Sequence, residues 1–475
     1  MNNGNVYKWS LIERIAVAAL NFGGNIALAR LLTTADFGLL AMIAIFTAVA
    51  YDISSCGLSD GLIHKLNPTR TDYSTVFLFN SGLGLLFGIT FILIAPAVAR
   101  FFGHEELTVI MRILGICFFF QTMSFVQETK LRKELDMRRI CIVKIGATLS
   151  SLALGLALAL AGKGYWALVS TQIFLSVFIF LYYIIATRWF PGFRFSKDSF
   201  KSFFNYGIHL MLAYVSSIIG KNINTFVLGR FYPSPSASGV YSQGAKLANV
   251  PFGVTESSLN SPFFVVVSNE HDKATQQSMI ANMFSVICGV NATIMLFLIL
   301  AATPAINLLY GSKWEEAAPI LRILAGFEFL ACLKYYFQTV CKVEGRTSLI
   351  RNLTFAEIIV QLSLLAIFFR FGILWIAWTQ LCGVLFTVAV YSIMYARYMH
   401  LNLLQYLKVL LAPIAVQLCA FAIAGITIYF GWLPANPFVA CVILGVIYFG
   451  LCILTFERIR PKAYMTLRRK VFPAR

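Results

Sequence analysis

The chain has 475 residues, 59% of them hydrophobic and 12% charged, with a net charge of +18. A soluble domain carries roughly 25% charged residues, so most of this surface must face lipid, and a soluble globular fold is excluded. No RNP, zinc-finger or other nucleic-acid module accompanies the positive charge, which calls for another explanation.

Fourteen membrane-length helices are predicted: 8–29, 36–56, 77–99, 107–129, 140–161, 165–187, 202–229, 237–266, 278–308, 316–341, 350–369, 373–396, 405–429 and 436–456. Each holds an apolar run of about 20 residues, enough to cross a hydrocarbon core of roughly 30 Å. Glu13 and Arg14 interrupt the first run. No small-x-small cleavage site follows it, so it reads as a span and not as a cleaved signal peptide. Helix 1 closes on Arg30, where a cation complements the helix dipole and reaches the outer surface. Thr33-Thr34-Ala35-Asp36 makes the turn, with Asp36 as N-cap of helix 2. Asp36-Phe37-Gly38 is no kinase triplet, because the Gly-rich loop, strand lysine and HRD loop are missing.

Helix 2 carries Asp52, and helix 4 carries Arg112 about one turn in. Gly155 and Gly162-Lys163 have the wrong spacing for a phosphate loop. Helix 7 holds Lys221. Helix 8, polar and interrupted by Pro251, holds Lys246 and Glu256, with Asn260 one turn on. Helix 10 holds Arg322, Glu328 and Lys334, and helix 11 places Glu357 and Gln361 on one face. The ten cysteines are scattered singly and read as small hydrophobes. The five histidines are well separated, and neither a catalytic signature nor a metal site is expected; a membrane glycosyltransferase or ligase is the enzyme alternative.

Basic residues test the topology. With the N-terminus assigned to the inner side, twenty-six lysines and arginines fall in inner segments, six in outer segments and six within spans. The positive-inside rule then places both termini in the cytoplasm, and anionic inner-leaflet lipid explains the net charge.

The chain also repeats. Residues 25–38 echo 224–239, aligning Arg30 with Arg230. Residues 100–114 echo 307–324, aligning Gly103 with Gly311 and Arg112 with Arg322. Residues 164–172 align without gaps to 372–380. The offsets, 200 to 210, span six helices, so the halves are expected to be parallel repeats about an axis along the membrane normal.

Charges inside spans are the candidate functional residues, since a mid-bilayer charge costs about 2.5–3.5 kcal/mol and normally faces protein or water. Arg14, Lys221, Lys246 and Lys334 are candidates for a cationic lumen. Arg112 and Arg322 either line it or snorkel to the outer face. Glu256 and Asp52 are candidates for ion coupling. The structural alternative for Glu357-Gln361 is a polar seam between packed helices.

The stretches "ARLLTTADFGLLAM", "CGLSDGLIHK", "DYSTVFLFNSGLGLLFGI", "LRKELDMRRI" and "GYWALV" resemble the polysaccharide-transport branch of the multidrug/oligosaccharidyl-lipid/polysaccharide flippase superfamily, nearest to Wzx- and WzxC-type flippases. Thr34-Ala35 stands where relatives often have Pro-Glu, and Asp60 where a small residue is common. The resemblance implies an all-α polytopic membrane protein with two six-helix lobes, residues 1–187 and 188–396, around a central cleft. A helix pair and basic cytoplasmic tail, 397–475, complete it. It also implies a bacterial inner-membrane flippase, not an enzyme and without a cofactor, that moves undecaprenyl-diphosphate-linked oligosaccharide outward for surface polysaccharide synthesis. Its partners would be that glycolipid, membrane lipids, a polysaccharide polymerase and glycosyltransferases, with no nucleic acid. Rival expectations are a cation-coupled drug or metabolite exporter of the same superfamily and a peptidoglycan-precursor flippase.

Overall fold

A computed structural model describes residues 3–55, 62–63, 65, 67–232, 234–255, 267, 272–344, 346–398 and 403–459. Among these, fifteen α-helices follow one another: α1 (Asn3–Leu31), α2 (Thr34–Ser55), α3 (Arg70–Phe102), α4 (Glu106–Lys133), α5 (Met137–Leu160), α6 (Trp166–Thr187), α7 (Lys197–Phe231), α8 (Pro235–Thr255), α9 (Lys273–Leu300), α10 (Ala302–Leu309), α11 (Ala317–Val343), α12 (Thr347–Phe368), α13 (Ile373–Tyr398), α14 (Leu403–Tyr429) and α15 (Pro437–Ile459). Each predicted span has a counterpart among them with one change, and residues 256–266 of the span predicted over 237–266 lie outside the described residues. The expected helix over 278–308 is broken at Ala301 into α9 and α10. Pro304 lacks the N–H that would donate to Leu300 across the break, and Ala301 instead caps α9 by donating to Phe297 O at 2.8 Å.

Nine described helices are long and apolar enough to cross a membrane. In lipid the backbone must satisfy its own hydrogen bonds, which a helix does. The chain is a multi-pass membrane protein. The helices α8 and α11 fall outside that apolar set although they run for 21 and 27 residues. They are the helices that carry Lys246, Arg322 and Lys334.

The chain divides into two compact units, Met1–Val240 and Tyr241–Arg475. In the first, α3 and α4 cross at a double glycine contact: a Cβ on Gly88 would lie 2.9 Å from Gly115 O, and one on Gly115 2.8 Å from Gly88 O. Around it Phe91, Phe102, Ile110, Met111, Leu114 and Phe118 form the core. Small residues of this kind let helix backbones approach where lipid supplies no hydrophobic drive. The start of α3 is fixed by a capping box. Thr69 Oγ1 accepts from Asp72 N, Thr69 N donates to Asp72 Oδ2 at 2.7 Å, and Lys65 Nζ reaches the same carboxylate at 2.8 Å. In the second unit Phe284, Tyr336, Phe337, Tyr391 and Tyr395 build an aromatic core among α9, α11 and α13.

The sequence repeat has a backbone counterpart. Gly103 and Gly311 both take positive φ (79° and 95°) where α3 and α10 end. Gly164 and Gly372 do so (54° and 122°) just before α6 and α13. Arg30 and Arg230 lie exposed in the last turns of α1 and α7, as expected. The cap of α2 differs from expectation: Thr33 is the cap, its Oγ1 accepting from Asp36 N at 3.2 Å. Asp36 is the third helical residue, accepting from Thr33 N at 2.9 Å. The pair forms a reciprocal capping box, which satisfies two donors where a single Asp cap would satisfy one.

Candidate substrate-binding site

At about 1.5 Å per residue, Lys221 sits about 15 Å from the C-terminal end of α7, and Lys246 about 16 Å from the N-terminal end of α8. Both carry exposed surface. Arg14 lies about 26 Å from the far end of α1 and is likewise exposed. Arg112 and Arg322 sit only about 9 and 8 Å into α4 and α11 and are exposed. Arg322 Nη2 donates to Thr303 Oγ1 at 2.8 Å, on the helix interrupted by Pro304.

The first unit separates compensated from uncompensated charge. Glu13 is held by Lys144 at 3.4 Å; Lys144 also reaches Glu128 at 2.8 Å, and Arg132 meets the same carboxylate at 2.6 Å. This four-residue network ties α1, α4 and α5 together and accounts for Glu13 inside the first span. Among the described residues, no acid lies within ion-pair distance of Arg14, Arg112 or Lys221.

In the second unit Lys334 has an acidic partner. Lys334 Nζ is held by Glu357 Oε1 at 2.9 Å and Oε2 at 3.1 Å, with side chains only 13% and 12% exposed. Thr387 Oγ1 donates to Glu357 Oε2 at 3.3 Å. Lys334 is therefore compensated in this state, and Glu357 belongs to the structural seam that its sequence context allowed. Gln361, one turn on, is buried against Gly383. Asn249 Nδ2 donates to Glu328 Oε1 at 3.0 Å, and Tyr241 Oη to Gln380 Oε1 at 2.8 Å, so α8 meets α11 and α13 through polar groups. These links lie three residues beyond and five before Lys246, on a helix whose polar character would be costly in lipid. Sequence reading missed the Asn249–Glu328 link. A polar residue one turn from Lys246 was its only trace. Glu256 lies outside the described residues, as does the side chain of Asp52 in α2.

A polytopic helical protein with basic side chains inside its apolar helices defines a class, the multi-pass membrane proteins. Within that class the chain belongs to the polysaccharide biosynthesis protein family, whose model matches residues 27–319. It is 23% identical to the teichuronic acid biosynthesis protein TuaB of Bacillus subtilis (strain 168) over 431 residues, 89% of each chain. It is 22% identical to the lipopolysaccharide biosynthesis protein WzxC of Escherichia coli (strain K12) over 326 residues, 67% of this chain and 65% of that one. Among solved structures, the lipid II flippase MurJ in an inward closed conformation matches with a TM-score of 0.74 at 13% identity, covering 96% of this chain and 100% of MurJ. An inward-facing MATE transporter of the MOP superfamily matches at 0.62 and 16% identity, over 82% and 98%. The superfamily resemblance and the all-helical fold expected from the sequence both hold.

Proposed function

We propose that the protein is a flippase that moves undecaprenyl-diphosphate-linked oligosaccharide from the inner to the outer leaflet of the bacterial cytoplasmic membrane, with both termini in the cytoplasm, and that it is a carrier and not an enzyme. The observation that carries this reading is Lys221: an exposed lysine, with no acid beside it among the described residues, about 15 Å from its helix end. Facing lipid there, its charge would cost about 2.5–3.5 kcal/mol. Facing an aqueous path, it offers a diphosphate the counter-charge that water supplies outside. Lys246 lies about 16 Å into α8, and Arg14 sits nearer the cytoplasmic end as an entry cation. Names of relatives such as TuaB and WzxC, which refer to surface polysaccharide synthesis, support the same cargo. A membrane potential negative inside favours outward movement of anions by about 2.3 kcal/mol per charge per 100 mV, so the protein need supply only the path and the alternation of access. Deleting the gene tests the proposal. The expected result is accumulation of one lipid-linked oligosaccharide, reversed by the gene in trans. Build-up of lipid-linked peptidoglycan precursor instead would assign the protein to that cargo, and accumulation of neither would overturn the flippase reading.

A further inference from the structure

α1 and α5 run side by side from a common end. Arg138 lies over the Trp9 ring at 5.7 Å, Lys144 meets Glu13 at 3.4 Å, and a Cβ on Gly24 would lie 2.5 Å from Leu152 Cδ2. The three contacts climb both helices in the same order, so the two are parallel and start together. All of these residues belong to the first unit.

The charges near this end differ in their surroundings. Glu13, Lys144, Glu128 and Arg132 neutralise one another, and Arg139 pairs with Asp136 at 3.3 Å. Among the described residues no acid lies within ion-pair distance of Lys8 or Arg138, and both are exposed. At roughly 100° per residue, Lys8 shares one side of α1 with Ile12 and Ile15, which are 37% and 60% exposed. Arg138 shares one side of α5 with Ile142 and Leu149, which are 57% and 49% exposed. By the same periodicity the two strips border the same flank of the α1–α5 contact.

Each helix thus presents a cation without an acid near its start and an apolar strip beyond it. A tryptophan beneath the guanidinium is a side chain of the lipid–water boundary. This is the pattern of a phospholipid, phosphate first and chains after. Cations without acids beside them select a headgroup of net negative charge, because a zwitterionic one sets its own ammonium against them.

We propose that the starts of α1 and α5 bind one anionic phospholipid, its phosphate held by Lys8 and Arg138 and its chains laid along Ile12, Ile15, Ile142 and Leu149. The inference requires a membrane-spanning chain and does not depend on the identity of the cargo.

The test uses the full chain, purified in mild detergent and analysed by native mass spectrometry after addition of phosphatidylglycerol or of phosphatidylethanolamine with the same chains. Wild type should retain one phosphatidylglycerol at least fivefold more than phosphatidylethanolamine. K8Q/R138Q should lose that preference, K8R/R138K should keep it, and R112Q, which removes an exposed cation from α4, should leave it unchanged. A second readout needs no variant. Phosphatidylglycerol with a photoactivatable diazirine in one chain should label peptides containing residues 9–15 or 138–149 at least fivefold more than the remaining peptides. Equal retention of the two lipids by wild type, undiminished retention by K8Q/R138Q, or labelling confined to other helices would overturn the site. Displacement of phosphatidylglycerol by an equimolar amount of lipid-linked oligosaccharide would assign these cations to the cargo and overturn the phospholipid reading.

Discussion

The Lys334–Glu357 pair allows the sharpest separation of structural from functional charge. Its side chains are 13% and 12% exposed, its N···O distances are 2.9 and 3.1 Å, and Thr387 satisfies a further lone pair of the carboxylate. With so little solvent to screen it, removal of either partner strands the other charge, which costs about 3–5 kcal/mol. Replacing both by neutral groups of similar size removes the attraction and the desolvation cost together and is close to neutral. Lys334→Met and Glu357→Gln are therefore each expected to destabilise the protein by about 3–5 kcal/mol. The double variant should lie within about 1 kcal/mol of wild type, a coupling well above the 0.5 kcal/mol expected of independent sites. Denaturation in detergent, followed by tryptophan fluorescence, measures all three. The double variant should also keep its transport activity, because a lysine held by Glu357 is not offering its charge to cargo. A double variant as unstable as the singles would refute the reasoning about the pair. A stable double variant without transport would return Lys334 to the list of cargo-binding cations.

Further predictions follow from the same geometry. Gly88→Val would drive a side chain into Gly115 O, 2.9 Å from the modest Cβ alone, and should cost about 1–3 kcal/mol of stability, measured by thermal unfolding. Asp72→Ala removes one half of the capping box at the start of α3 along with the Lys65 contact. It should cost about 1–2 kcal/mol, discounted little for the 42% exposure of Lys65 because Asp72 itself is buried; the same unfolding assay reads it. Arg14→Ala and Glu13→Ala, adjacent in sequence, should fail differently. The first lowers transport with stability unchanged. The second releases Lys144 and lowers stability first, which paired transport and unfolding assays will separate.

Local features were legible in the sequence. The spans stand out because lipid demands long apolar helices, and the paired glycines at 103 and 311, and at 164 and 372, mark helix boundaries where only a residue without a Cβ turns the chain at little cost. Arg30 and Arg230 close their helices as an amphipathic cation should. What could not be read is contact between helices distant in sequence. Glu357 shows a polar face on its own helix, but its partner Lys334 is 23 residues away, and nothing local says which neighbour it meets. The Thr34–Ser236 contact spans 202 residues; the repeat showed that the two motifs are alike, not that they touch. The break at Ala301 is the reverse case, a local signal in Pro304 outweighed by a hydrophobic run long enough for one helix.

On the proposed function, Lys221, an exposed lysine with no acid beside it among the described residues, carries the diphosphate of a lipid-linked oligosaccharide across the membrane. The most direct measurement is the distribution of that glycolipid between leaflets in cells lacking the native gene and expressing Lys221→Ala, with Lys221→Arg as the charge-conserving control and membrane protein levels matched. Accumulation on the inner leaflet with alanine and substantial export with arginine is the predicted result, and wild-type export by the alanine variant would contradict it.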